Sequence, residues 1–199
     1  MNKAVLLSAT AVVAVLSGGE PVAAKPPAHK PYTVLYNQNS NFGYGLISQN
    51  FTSGSYTSLN SAGADDFAVP SGQTWHIAEV DVTGVYYNGS GPAKSEVVTF
   101  YSNSKKNKPG RVVRGPFTLN CTDNAGSFQC ILPKRVKLPS GTWWVSVVAN
   151  CSFTGGCGEW GWITNSVVHG YGAVWEQGGG HWKRLKPLTD LTFTLIGKP

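Results

Sequence analysis

Apolar and polar residues alternate along most of the chain with the two-residue period of strands, and the 3.6-residue period of helices is absent after the first thirty residues. The clearest stretch is 142–150, where Trp143, Val145, Val147 and Ala149 fall on one parity and Trp144, Ser146, Val148 and Asn150 on the other. Residues 189–197 repeat the pattern, with Leu191, Phe193 and Leu195 inward against Thr192 and Thr194. Further strands are expected at 33–37, 65–69, 74–87, 96–102, 111–119, 127–132, 135–138, 160–164 and 173–176. The run 74–87 is too long for one flat strand, and its apolar phase changes. Trp75 and Ile77 share one parity, whereas Val80 and Val82 share the other. A one-residue slip turns every side chain to the opposite face, so a bulge near Ala78-Glu79 is the expected solution. Pro70-Ser71-Gly72 and Asn88-Gly89-Ser90-Gly91-Pro92 read as turns. About ten strands joined mainly by hairpins predict an all-β fold, an antiparallel β-sandwich of jelly-roll-like form with two packed sheets.

The first residues break this pattern. Met1, Asn2 and Lys3 give a short basic start, an apolar run follows to Leu16, and Val22-Ala23-Ala24 places small residues where a signal peptidase reads. Residues 1–24 are therefore expected to be a secretory signal peptide, cleaved after Ala24. The apolar run is too short for a membrane anchor, which needs roughly 20 residues. Residues 25–31 hold three prolines and read as an extended leader, leaving 32–199 as a single domain.

Export changes how the four cysteines read: disulfides become the default. Cys121 and Cys130 flank one turn-like stretch and Cys151 and Cys157 another, so pairing within each hairpin is expected among the three connectivities. Neither spacing matches a zinc site.

The net charge is +6, with basic clusters at 105–114, 134–137 and 183–186. These stretches are broken by proline and glycine, so nucleic acid is not an expected partner, and lysines that keep sheet edges soluble are the plain reading. For an exported chain the functional reading is attraction to an anionic cell surface or polysaccharide.

The residues also carry a resemblance. Ala64-Asp65-Asp66-Phe67-Ala68-Val69-Pro70-Ser71-Gly72, Trp75-His76-Ile77, and Val82-Thr83-Gly84-Val85-Tyr86-Tyr87 running into Asn88-Gly89-Ser90-Gly91-Pro92 form its first part. Gly141-Thr142-Trp143-Trp144-Val145-Ser146-Val147, Trp160-Gly161-Trp162 and Asp190-Leu191-Thr192-Phe193 complete it, so it spans nearly the whole mature chain. Together they resemble a family of secreted bacterial β-sandwich domains, and the Asp-Asp-Phe strand start is loosely similar to accessory domains of the pre-peptidase C-terminal type. The resemblance implies the fold, export and a bacterial source, and it carries no functional residue with it.

No signature of catalysis stands out. The nine carboxylates of the mature chain sit in no glycosidase pattern, no His-Glu-x-x-His pair occurs, and no Gly-x-Ser-x-Gly elbow appears. Asp65 and Asp66 are a weak candidate for Ca²⁺, although adjacent strand residues point to opposite faces and a turn-capping role is the simpler reading. No other cofactor is implied. Four Asn-x-Ser/Thr sequons, at Asn50, Asn88, Asn120 and Asn150, matter only in a eukaryote. Trp160, Trp162, Tyr171, Trp175 and Trp182 crowd into one segment rich in glycine. Trp75, Trp143 and Trp160 are expected in the core, while Trp162, Trp175 and Trp182, with Glu159 or Glu176 as polar partner, are the candidate ligand-binding residues. The expected function is a secreted, non-catalytic binding module for polysaccharide or cell-surface material. The alternative is a structural or adhesion-type protein-interaction domain, and a hydrolase is the third reading.

Overall fold

The structure, a computed structural model, describes residues 31–52 and 54–199, so the expected signal peptide and almost all of the leader lie outside the described residues. In chain order the strands are β1 Thr33–Asn37, β2 Phe42–Ile47, β3 Gln49–Phe51, β4 Ser61–Val82, β5 Gly84–Tyr87, β6 Ser95–Asn103 and β7 Pro109–Leu119. They continue as β8 Thr122–Asn124, β9 Ser127–Cys151, β10 Glu159–Asn165, β11 Val174–Gln177, β12 Lys183–Arg184, β13 Asp190–Leu191 and β14 Phe193–Lys198. One 3₁₀ helix, Gly54–Leu59, follows β3. A ten-stranded sheet and a four-stranded sheet, β13-β10-β2 with β5 also on β10, make up the all-β sandwich. Every pairing is antiparallel except β3 beside β9.

The ladder between β4 and β9 organises the large sheet. The Phe67 and Trp75 rings stack with centroids 6.2 Å apart, although eight residues of straight strand would separate them by about 26 Å. β4 therefore bends sharply at Pro70-Ser71-Gly72, and β9 bends with it as the register moves from Val69↔Gly141 to Thr74↔Pro139. Gly72 and Gly141 hold φ of 76° and 135°, values that only glycine adopts easily. The turn expected at 70–72 is thus a corner inside one ladder. The bulge expected near Ala78-Glu79 is present, since the register shifts between Ile77 and Glu79 against both β9 and β14. It lets Trp75 and Ile77 on one parity and Val80 and Val82 on the other enter the same core.

At Ser48, Thr83 and Thr192 a single residue carries the chain directly from one sheet to the other. A strand that changes sheets releases backbone groups from its ladder, and hydroxyl side chains take them up. Ser48 Oγ donates to Val147 O at 2.6 Å and accepts from Gly63 N at 2.9 Å. Thr192 Oγ1 reaches both Thr83 O and Ile163 O.

Between the sheets lies a core of Phe67, Trp75, Phe128, Trp160, Trp162 and Phe193, with Leu191 and Leu195 buried as their alternation requires. Trp143 departs from expectation. It is only half-buried, and its neighbour Trp144 is the one wholly enclosed. β9 is covered on both faces there, by the main core on one side and by a small cluster of Ala64, Trp144 and Val174 on the other. The cysteines pair as the spacing suggested, Cys121 with Cys130 and Cys151 with Cys157, with no free thiol among the described residues. No described helix is long and apolar enough to cross a membrane.

Candidate binding site around the β11–β12 hairpin

β11 lies along β4, with Val174 opposite Ala64 and Glu176 opposite Ala62, and turns back through 178–182 into β12. Gly178 and Gly179 supply the two positive φ angles of that turn. Strand alternation sends Val174 and Glu176 to one face and Trp175 to the other. Trp182, at the end of the turn, folds back over the Glu176 face. Its ring meets Tyr101 nearly edge-on, at 5.9 Å and 77°, and packs beside Trp144 and Val174.

A cleft opens on each side of this hairpin. One, of about 390 Å³, is walled by Trp182, His181, Lys106, Lys108 and Ser104. The other, of about 360 Å³, is walled by Glu176, Gly178, Asn50, Thr57, Asn60 and Ser61. Asn50 Nδ2 donates to Asn150 Oδ1, which fixes that amide at the floor. Glu176 Oε2 is buried with no hydrogen-bond partner. Tyr101 links the two sides: burial pushes its hydroxyl up, and the nearby Glu176 carboxylate adds to the shift.

The structure therefore puts Trp175, Glu176 and Trp182 on one hairpin, with Trp175 on the face opposite Glu176 and lining neither cleft, and leaves two of the candidates elsewhere. Trp162 is a core residue, wholly buried, with Nε1 donating to Thr192 O at 2.7 Å, so the expectation that it faces a ligand is corrected. Glu159 begins β10 in the small sheet, where Oε2 accepts from Asn88 Nδ2 at 2.8 Å. Asn60 and Tyr101 were not singled out from the sequence, and Lys106, Lys108 and Asn50 figured there only in a basic cluster and a sequon. They join the site only through sheet pairing across distant segments.

Asp65 and Asp66 are both buried, and they serve different elements. Asp65 Oδ2 accepts from Gln38 Nε2 at 2.7 Å and Leu191 N at 2.6 Å, and Oδ1 from Asp66 N at 2.9 Å. Asp66 Oδ1 accepts from Tyr171 N at 2.9 Å, and Asp190 Oδ2 accepts from His169 N at 2.5 Å. A Cβ on Gly170 (φ 74°) would collide with the Asp66 carboxylate, so the loop can approach only as glycine. Asp66 and Asp190 thus pin residues 169–171 against β4 and β13, while Asp65 holds Gln38 and Leu191. Among the described residues no group of three or more His, Cys, Asp or Glu side chains is placed to hold a metal.

These carboxyls titrate high. Burial raises Asp66 to about 6 against the pull of the Tyr171 N–H, and burial with the neighbouring Asp190 charge pushes Asp65 well above the usual carboxylate range. Burial likewise raises Asp190, Glu96 to about 6 and Asp81 to about 7, the last with help from Glu79. A carboxyl whose folded pKa exceeds its unfolded value of about 4 binds its proton more tightly in the fold. The stability it contributes is complete below about pH 4 and is lost as pH rises through 6 to 7. The thermal midpoint is therefore expected to be several degrees higher at about pH 5 than at about pH 8. A melting profile that is flat, or that rises with pH, would contradict this.

Fold and site together define a disulfide-bonded β-sandwich module with two open polar clefts on one hairpin. No family model, curated protein or solved structure matches the chain.

Proposed function

We propose that the protein is a secreted, non-catalytic module that binds polysaccharide or cell-surface material, with the β11–β12 hairpin as its contact. The observation that carries this reading is the hairpin itself. It brings a half-buried indole, a carboxylate with an unpartnered oxygen and a set of amides and hydroxyls to two adjoining clefts. Sugars present C–H faces that stack on indole and hydroxyls that need both donors and acceptors, and the clefts hold both kinds of group. The two disulfides and the expected signal peptide fit an oxidising, extracellular setting. The resemblance to secreted bacterial sandwich domains points the same way.

A glycan array with the mature protein tests the reading. Trp182→Ala is expected to weaken the best-bound glycan by about 1–3 kcal/mol, on the scale of ring stacking. Equal binding by wild type, Trp182→Ala and Glu176→Gln would overturn the site.

One observation favours the alternative, a protein-interaction domain. β2 pairs with β10 alone, carries no charged residue, and exposes Phe42 (62%) and Tyr44 (47%). An uncharged edge strand with exposed aromatics is suited to accepting a strand from a partner.

A further inference from the structure

We infer that the cleft beside Trp182 takes acidic sugars, the carboxylated or sulfated units of an extracellular polysaccharide. The inference rests on the glycan-binding reading above and names its ligand class.

The first ground is how charge is distributed between interior and surface. Of the nine carboxylates among the described residues, none is exposed: Asp65, Asp66, Glu96 and Asp190 are buried and the rest half-buried. Of the thirteen lysines and arginines described, ten are exposed. The single ion pair within 4.0 Å among the described residues is His169 with Asp190, so no described lysine or arginine is neutralised by a carboxylate contact. With the acids buried or half-buried, the fully exposed charged side chains among the described residues are cations, and such a surface draws anionic polymers.

The second ground is convergence. Clusters far apart in sequence meet at this cleft. Arg184 Nη2 donates to Asn107 O at 2.5 Å, and Lys108 Nζ donates to Trp182 O at 2.7 Å, which ties the β6–β7 turn to the β11–β12 hairpin. Arg184 also donates to Tyr171 O and Gly172 O. These cations are held by backbone carbonyls and keep their charge. They set Lys106 in the wall beside Trp182, exposed and free of any carboxylate contact. The remaining cluster, Lys134, Arg135 and Lys137, lies on β9 and lines no part of the cleft.

The third ground is the combination of groups. Trp182 offers a ring to a sugar's C–H face, and Lys106, Lys108 and His181 stand beside it to meet an equatorial carboxylate or sulfate. A single-stranded nucleic acid would call for several aromatic platforms in succession, and this cleft has one indole.

The test uses the full mature chain, titrated calorimetrically with polygalacturonate, dextran sulfate, neutral dextran and oligo-dT. Polygalacturonate and dextran sulfate are expected to bind, neutral dextran not, and raising NaCl from about 50 to about 300 mM should weaken binding by about tenfold. Lys106→Gln is expected to weaken binding by about fivefold, while Lys134→Gln, with the same charge lost, stays within about twofold. Equal losses from the two substitutions would show diffuse attraction and overturn the site. Oligo-dT bound as tightly as polygalacturonate would overturn the sugar assignment. A neutral glycan bound through Trp182 without salt dependence would overturn the acidic class and leave the glycan-binding reading standing, whereas no glycan bound at all would overturn both. The substituted side chains are solvent-exposed, so matched melting curves keep each outcome interpretable.

Discussion

Asp65→Ala is expected to destabilise the protein by about 3–5 kcal/mol, a large part of what holds a domain of this size together. Three N–H groups converge on this carboxylate, from Gln38, Leu191 and Asp66, which belong to or border three separate strands. Alanine takes this acceptor from Leu191 N and Asp66 N and leaves Gln38 Nε2 only Leu191 O, and each unsatisfied donor costs about 1–3 kcal/mol, reduced where the loop relaxes. Asp65→Asn should lose less, because it keeps one acceptor oxygen and removes a charge that burial and Asp190 both disfavour. Asp66→Ala should also lose less, since its contact beyond its own strand is the single N–H of Tyr171. Urea titration of the three variants measures the order. An Asp65→Ala midpoint indistinguishable from wild type would show that the donors find other partners, and the anchoring role would fall.

Trp162→Ala is expected to cost about 3–5 kcal/mol of folding, against a much smaller loss for Trp182→Ala. The Trp162 indole is enclosed between Trp160 at 6.3 Å and Phe193 at 6.4 Å, and its N–H satisfies the carbonyl of Thr192 where the chain changes sheets. Truncation opens a cavity in the centre of the sandwich and orphans that carbonyl. Trp182 caps a smaller cluster from outside, so its loss trims one surface without opening a void. Circular-dichroism melts separate the two. A Trp162→Ala protein melting within a few degrees of wild type would contradict its placement as a core residue.

Trp162 also shows where sequence reasoning stops. Trp160 and Trp162 share one strand parity, so a core assignment for Trp160 already implied the same for Trp162. Strand alternation carried that answer, and the density of tryptophans in the segment pulled against it. Elsewhere parity sufficed: the phase change between Ile77 and Val80 located the bulge, and 189–197 showed Leu191, Phe193 and Leu195 facing in. It could not show that 189–197 is shared between two sheets, because Thr192 continues the alternation while the hydrogen-bonding partner changes. β2 was missed because Gly43 and Gly45 interrupt Phe42, Tyr44 and Leu46, a composition that reads as a loop. The Trp143 and Trp144 assignment needed knowledge of what covers each face of β9. For the site, Glu176 and Trp182 were within reach because they are neighbours in the chain. Lys106, Asn50 and Tyr101 were not, since only the register of β3, β6 and β11 brings them there.

The long-range pairing that builds the sandwich also sets the pace at which it assembles. Ser146 meets Gly63 across 83 residues, and Gln38 meets Leu191 across 153. The disulfides span separations of only 9 and 6. Loop closure grows costlier with length, and all-β topologies dominated by distant pairing fold in milliseconds to seconds where local folds need microseconds. Neither disulfide shortens the search that brings β4 to β9, so oxidation of the cysteines leaves the slow step almost untouched. Until that search ends, the uncharged β2 edge and the interior carboxylates both face water. A newly made chain is thus exposed to proteases and to other copies of itself for as long as its two longest strands remain apart.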